Sequence, residues 1–398
     1  MKYVAILLHI YQPPTQIGWV IDQIAKECYL PLSTILNDPS ISPKVTLNIN
    51  FSLTEQLIKH GWKEILDNFN EAAGKGFIEF TSSGAYHPIF PLIPEEEIKR
   101  QLRLNEAGNM TYMPNFKPQG VFPPEMCYST PLAMLLAKMG YKWVITDDLP
   151  FSYYHGFVPY NFIPKVGNIR VVLRSNLHSN DISFNSYKGN EFFYKLLSDM
   201  EKWFGEEEGY IVIAMDGETF GHHHKYYHEK FLRAFLCEAA NSDKLQLVTI
   251  SELVEKFEAR DVFVPPSTWS ATATDLANDD PYPLWQSKFN PIHAKQWELL
   301  FFALEAVKEA EDKLRQKQIL KEEFEKLRLL MDKALYSCQF WWASAWNFDP
   351  SQIYRGAFLI LDVLQVAAEV LGKSEYIYRG RELFLNIIME TEKRRFCG

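Results

Sequence analysis

Little in this chain points toward a membrane, a nucleotide or a cysteine-based metal centre. Of its 398 residues, no segment reaches the ~18 uninterrupted apolar residues that a membrane span needs. The opening MKYVAILLHI is apolar but short and runs into polar loop residues without a small-residue cleavage site, so it reads as a buried first strand, not a signal peptide. Only five cysteines occur, Cys28, Cys127, Cys237, Cys338 and Cys397, and none is in a C-x-x-C arrangement. An odd, scattered set suits reduced thiols in a cytoplasmic protein better than a disulfide framework. Phosphate-binding glycine loops, the G-x-S-x-G elbow and HExxH are all missing. Lys and Arg number 41 against 50 Asp and Glu, a net charge of −9. With no basic patch, nucleic acid is an unsuitable partner.

The composition is otherwise globular, 47% hydrophobic and 23% charged, with an aromatic content of 15%. Rings in that number fill a large core and also supply flat platforms against which sugars stack. Between residues 1 and about 260, short β-branched and apolar runs alternate with amphipathic stretches, the pattern of βα units around a parallel sheet. Strands are expected at 2–8, 44–50, 77–81, 119–123, 142–146, 169–173, 210–215 and 246–250. That number predicts a closed or nearly closed barrel. Seven successive strand ends carry His9, Asn50, His87, Glu125, Asp147 with Asp148, Arg174 and Asp216. Such a row marks an active-site rim, because (β/α) barrels place their chemistry at the carboxyl ends of the strands.

Residues 261–290 change character, with Pro265, Pro266, Pro281, Pro283 and a small-residue run, and are expected to form a connector. From 291 to 398 the periodicity is helical, which predicts a C-terminal helical bundle.

Two constellations on the rim carry chemistry. The first pairs Glu125, in GVFPPEMCY, with Asp216, in IVIAMDGETFGHHH. Glycoside cleavage needs one carboxylate at the anomeric carbon and one carboxylic acid at the leaving oxygen. Asp216 follows an apolar run whose desolvation raises a carboxyl pKa and favours the acid role. A turn cap and a helix start are the plain structural roles for the same two residues. The second constellation is histidine-rich: His222, His223, His224 and His228, with His9 and His87. If their segment is helical, His224 and His228 share a face and suit zinc. Asp148 and Arg174 either orient Asp216 or sugar hydroxyls, or pair with each other. Trp269, Trp285 and Trp297 are each either sugar platforms or core.

HIYQP (His9 to Pro13), GAYHP (Gly84 to Pro88), GVFPPE (Gly120 to Glu125), MDGE (Met215 to Glu218) and SCQFWWASAW (Ser337 to Trp346) follow the motif order of glycoside hydrolase family 57, which the chain resembles over most of its length. Tyr11 and Phe122 depart from the residues usual in the family's motifs. The resemblance implies an α/β fold, a (β/α)7-type barrel followed by a helical region, and retaining chemistry on α-glucans with no metal or other cofactor. It implies Glu125 as nucleophile, Asp216 as general acid/base, and sugar contacts from His9, Gln12 and His87. On the same reading Asp148 and His222 are candidate sugar contacts, and Trp341, Trp342 and Trp346 are candidate platforms, of which at most one or two should be exposed. Two rival readings are a metal-dependent carbohydrate deacetylase using the histidine-rich rim and a glycan-binding protein without turnover.

Overall fold

The computed structural model describes residues 1–397, and the chain divides into two units. The first comprises Met1–Ala85 and Phe90–Ala273, and the second Tyr86–Ile89 with the residues from Thr274 onward.

Ten strands form the first unit's framework: β1 (Lys2–Ile10), β2 (Val45–Ile49), β3 (Ile78–Thr81), β4 (Gly120–Val121), β5 (Trp143–Asp147), β6 (Ile163–Val166), β7 (Ile169–Arg174), β8 (Gly209–Asp216), β9 (Leu245–Val248) and β10 (Ala259–Asp261). Eight coincide with the runs picked out by their β-branched and apolar content. The other two, β6 and β10, are not marked in that way. β6 contains Pro164, which discourages a strand, yet it pairs antiparallel with β7 across a turn at Gly167, where φ is 58°. β10 has only three residues.

β1 is buried along all nine residues, as a parallel strand covered on both faces must be. Its side chains alternate between two cores. Val4, Ile6, Leu8 and Ile10 join the outer core, which includes Leu32, Ile35 and Phe69 from the flanking helices. Tyr3, Ala5 and Leu7 join an inner core with Phe122, Trp143, Tyr210, Val212 and Ala214. The two-residue period therefore carries His9 and Asp216 to the inner face.

The ladders form two five-stranded sheets, not one closed barrel. The first runs β3-β2-β1-β8 with β9 also on β1, and the second β10-β6-β7-β5-β4. They meet at a single parallel bridge, Ser82 with Val121, and at a hydrogen bond of 2.7 Å from the Ser175 amide to the Val212 carbonyl. Through these links β1-β2-β3-β4-β5-β7-β8 go once round. The ring is thin at β4, which is cut to two residues because Pro123 and Pro124 have no N–H to continue a ladder.

In the second unit four long helices account for most of the chain, Pro291–Arg315, Lys321–Ala334, Pro350–Leu371 and Glu375–Cys397. Asn290 and Asp349 cap two of them with side-chain oxygens, each followed by proline at the first helical position. Gly372, at φ 67°, ends the third in the left-handed conformation. Trp285 and Trp297 belong to this unit's core, the Trp297 indole donating to the Trp285 carbonyl at 2.8 Å. Among the described residues no helix is long and apolar enough to cross a membrane. Cys28, Cys127, Cys237 and Cys338 are free thiols, and the side chain of Cys397 lies outside the described residues.

Candidate active site

Strand register assembles the centre of the site. On β1, His9 is in register with Asp216 of β8 on one side and with Asn48 of β2 on the other. Its Nδ1 lies 2.6 Å from Asn48 Oδ1. Asn48, which faces inward by the pleat, is thus the partner of His9, whereas Asn50 turns to the Ser83 hydroxyl and the Gly84 carbonyl. The His9 ring stacks on Phe122 at 4.5 Å and 14° and meets Trp269 edge-on at 6.1 Å.

Glu125 follows the proline pair and takes a left-handed backbone, φ 59°, as does Met126 after it at 49°. Such strain in a non-glycine residue persists only where the surroundings impose it. Here they do: the Thr268 hydroxyl donates to the Glu125 carbonyl at 2.6 Å, and Tyr128 and Ser267 exchange two backbone hydrogen bonds. The Glu125 side chain is held in turn by the Trp269 indole N–H, 3.0 Å from Oε2. Trp269 is therefore neither a free platform nor simple core.

Arg174 closes the arrangement. Its Nε donates to the Ala214 carbonyl at 2.7 Å, its Nη1 pairs with Asp147, its Nη2 reaches Asn180, and its guanidinium lies 5.7 Å from the Trp269 ring centre. Asp147, in register with Arg174 across β5 and β7, takes the ion pair. Asp148 does not pair with Arg174. It accepts from the Asn176 amide and, at 3.5 Å, the Tyr160 hydroxyl.

Behind Asp216 lies a third carboxylate that the sequence motif contains but residue-type reasoning passed over. Glu218 is buried and accepts from the Tyr29 hydroxyl and from the Tyr11 amide at 3.2 Å. Gln12 donates to the Tyr29 hydroxyl at 3.0 Å. Gln12 thus reaches Glu218 through one phenol.

These carboxyls are electrostatically linked. Burial, then the Asp216 charge, push Glu125 up to about 8, against the Trp269 hydrogen bond. Burial and then Asp216 likewise push Glu218 up to about 8. Burial raises Asp216, while His9 and Arg174 oppose the rise. Burial lowers His9, which favours its neutral form. Buried carboxyls that repel one another hold protons in common near neutral pH. Such a set can present one anion and one acid together.

The other candidate residues lie elsewhere. His222 is half-buried, its Nδ1 3.3 Å from Glu27. Residues 222–226 are turns and a bend, with helix beginning only at Tyr227, so His224 and His228 do not share a helical face. His224 instead bonds the Ser183 carbonyl at 2.9 Å. Among the described residues no group of three His, Cys, Asp or Glu side chains is placed to hold a metal ion. In the second unit, His87 is buried at φ 61°, its Nδ1 2.8 Å from the Ser337 hydroxyl. Trp341 and Trp342 form an edge-to-face pair and are half-buried, whereas Trp346 is 71% exposed.

Residues 8–266 match the family described as glycosyl hydrolase family 57. The chain is 26% identical over 289 residues to an α-amylase of Pyrococcus furiosus, covering 67% of this chain and 42% of that one. It is also 26% identical over 286 residues to a 4-α-glucanotransferase of Thermococcus litoralis, covering 67% and 41%. The chain thus spans less than half the length of these two relatives. Among solved structures, the GH57-type branching enzyme of Pyrococcus horikoshii superposes with a TM-score of 0.76 at 17% identity, covering 98% of this chain and 94% of that one.

Proposed function

Because the chain belongs to glycosyl hydrolase family 57, we propose that it is a retaining α-glucan-active enzyme, a hydrolase or transglycosylase, with Glu125 as nucleophile and Asp216 as general acid/base. The observation that supports this reading above others is that both carboxyls lie half-buried in one unit, Glu125 held by the Trp269 indole and Asp216 in register with His9, with the charge of Asp216 felt at Glu125. In the first step the Glu125 carboxylate attacks the anomeric carbon while protonated Asp216 gives its proton to the departing glycosidic oxygen. The Trp269 N–H steadies the attacking carboxylate. In the second step the Asp216 carboxylate takes a proton from water or from a sugar hydroxyl, which displaces Glu125. Water yields hydrolysis, and a sugar yields transfer or branching.

On this reading the barrel-like segment 1–260 carries the chemistry, 261–290 connects, and 291–398 forms a helical domain. His9, Gln12, His87, Asp148 and His222 are assigned to sugar hydroxyls, and Trp341, Trp342 and Trp346 to glucose rings. Free thiols favour a cytoplasmic setting. The test is incubation with maltooligosaccharides and amylose followed by product sizing, since shorter, longer and branched products separate the activities. Glu125→Gln and Asp216→Asn are each expected to lower turnover by about 10³-fold or more. Unchanged turnover in either variant removes that residue from the mechanism.

A further inference from the structure

Arg174 meets groups from four separate segments. It takes the Asp147 carboxylate at the end of β5, the Ala214 carbonyl two residues before Asp216 on β8, the Asn180 side chain on helix Asn176–Phe184, and the Trp269 ring from the segment after β10. It is only 4% exposed. A buried cation needs a paired anion, which Asp147 supplies at 1% exposure. Nothing in that need requires the remaining donors to point at the strand that carries one carboxylate and at the ring that holds the other.

We propose that Arg174, anchored by Asp147, is a positioning residue for the reaction: it ties the end of the Asp216 strand to the indole that hydrogen-bonds Glu125, and so holds the two carboxyls at one separation. This rests on the assignment of those carboxyls made above. A planar guanidinium suits the task, because Nε and the two Nη groups project in fixed directions from a flat face that also packs on an aromatic ring. A lysine would keep the charge but could not reach the carbonyl, carboxylate and ring together. Positioning matters because a displacement of about 1 Å between reacting groups costs about 10²-fold in rate. The cation also acts on Asp216 directly, opposing the effect of burial.

The test compares Arg174→Lys, Arg174→Gln and the double variant Asp147→Asn/Arg174→Gln, the last leaving no unpaired buried charge. Folded fraction is read by circular dichroism and by titration with a mechanism-based inactivator that labels the nucleophile. Rates are then expressed per labelled site with maltooligosaccharides. In all three variants kcat is expected to fall about 10²-fold, with KM changing less than about threefold. In Arg174→Gln the alkaline limb of kcat should also move to higher pH, because Asp216 loses a neighbouring cation and keeps its proton longer, whereas the double variant removes the Asp147 anion as well and should move it less. In Arg174→Lys that limb should stay in place while kcat falls. A residue that only stabilises the fold would lower the labelled fraction and Tm but leave kcat per labelled site and the limb unchanged, and that result in any soluble variant overturns the proposal. Failure of the underlying assignment looks different: Glu125→Gln or Asp216→Asn, run alongside, would then retain turnover.

Discussion

The indole N–H of Trp269 lies 3.0 Å from Oε2 of Glu125, although 144 residues separate them in the chain. Trp269 stands beyond residue 266, where the family match ends. Its ring also touches His9, Phe122 and Arg174, so one side chain joins the turn that carries Glu125 to the ends of β1 and β7. The donor favours the carboxylate of Glu125 against the burial that disfavours it.

Replacing Trp269 by Phe keeps the ring and removes that donor. The Glu125 carboxyl, already pushed to about 8, then rises further, and the fraction ionised at pH 7 falls. We expect kcat/KM at pH 7 to drop by about ten- to a hundredfold, a charge-assisted hydrogen bond being worth about 1.5–3 kcal/mol. The acid limb of the profile should move to higher pH, so the deficit narrows in alkaline buffer. An acid limb that stays in place in Trp269→Phe would show that the indole does not bias the titration.

Glu125→Gln has a consequence for stability that is separate from activity. A carboxyl whose folded pKa lies above its unfolded value of 4.5 stabilises the fold fully below pH 4.5, and that contribution is lost as pH rises through about 8. Glutamine removes this dependence. The variant should gain on the parent protein between pH 5 and 9, by about 1–3 kcal/mol. Denaturant melts at the two pH values check it, and a difference independent of pH refutes it.

Asp216→Asn separates the two steps of the mechanism. Asparagine cannot protonate a leaving oxygen, yet an activated aryl glycoside needs little protonation. Turnover of amylose should fall about 10³-fold or more, while formation of the glycosyl-enzyme from the aryl substrate falls much less, and azide should restore turnover of that substrate by displacing Glu125 to give a glycosyl azide with the substrate's own α configuration. Pre-steady-state release of the phenol reads the first step. An equal loss on both substrates would take the acid role away from Asp216.

Gly120 is required for a steric reason. A Cβ built there comes 2.0 Å from Cδ2 of the Trp143 ring, which is fully buried and donates to the Ser251 hydroxyl at 3.0 Å. Gly120→Ala should cost about 1–3 kcal/mol or more, as overpacked cores do. Because β4 leads directly into the Glu125 turn, activity should fall with stability. Thermal melts and specific activity measured together give the answer, and a neutral substitution would mean that the indole can move aside.

Much of the architecture is legible without coordinates, because strand alternation and helix periodicity depend on neighbours a few residues away. The eight apolar runs became strands, and the five motifs point to the family that residues 8–266 match. β6 escaped because Pro164 argues locally against a strand, while pairing with β7 across Gly167 overrides it. Tyr86–Ile89 grouped with the second unit, although its neighbours on both sides belong to the first.

From the sequence alone come the acidic pair, the inward histidine and the alternation that places them on strand ends, since each is written in residue type and short-range spacing. Tertiary structure alone decided which partners they have. Asp147 rather than Asp148 meets Arg174 because register puts residues 147 and 174 side by side on adjacent strands. Asn48 rather than Asn50 meets His9 for the same reason, and Trp269 reaches Glu125 only because the chain returns from beyond β10. A shift of one residue in either strand pairing would turn the side chain to the opposite face, and nothing local in the sequence sets that register.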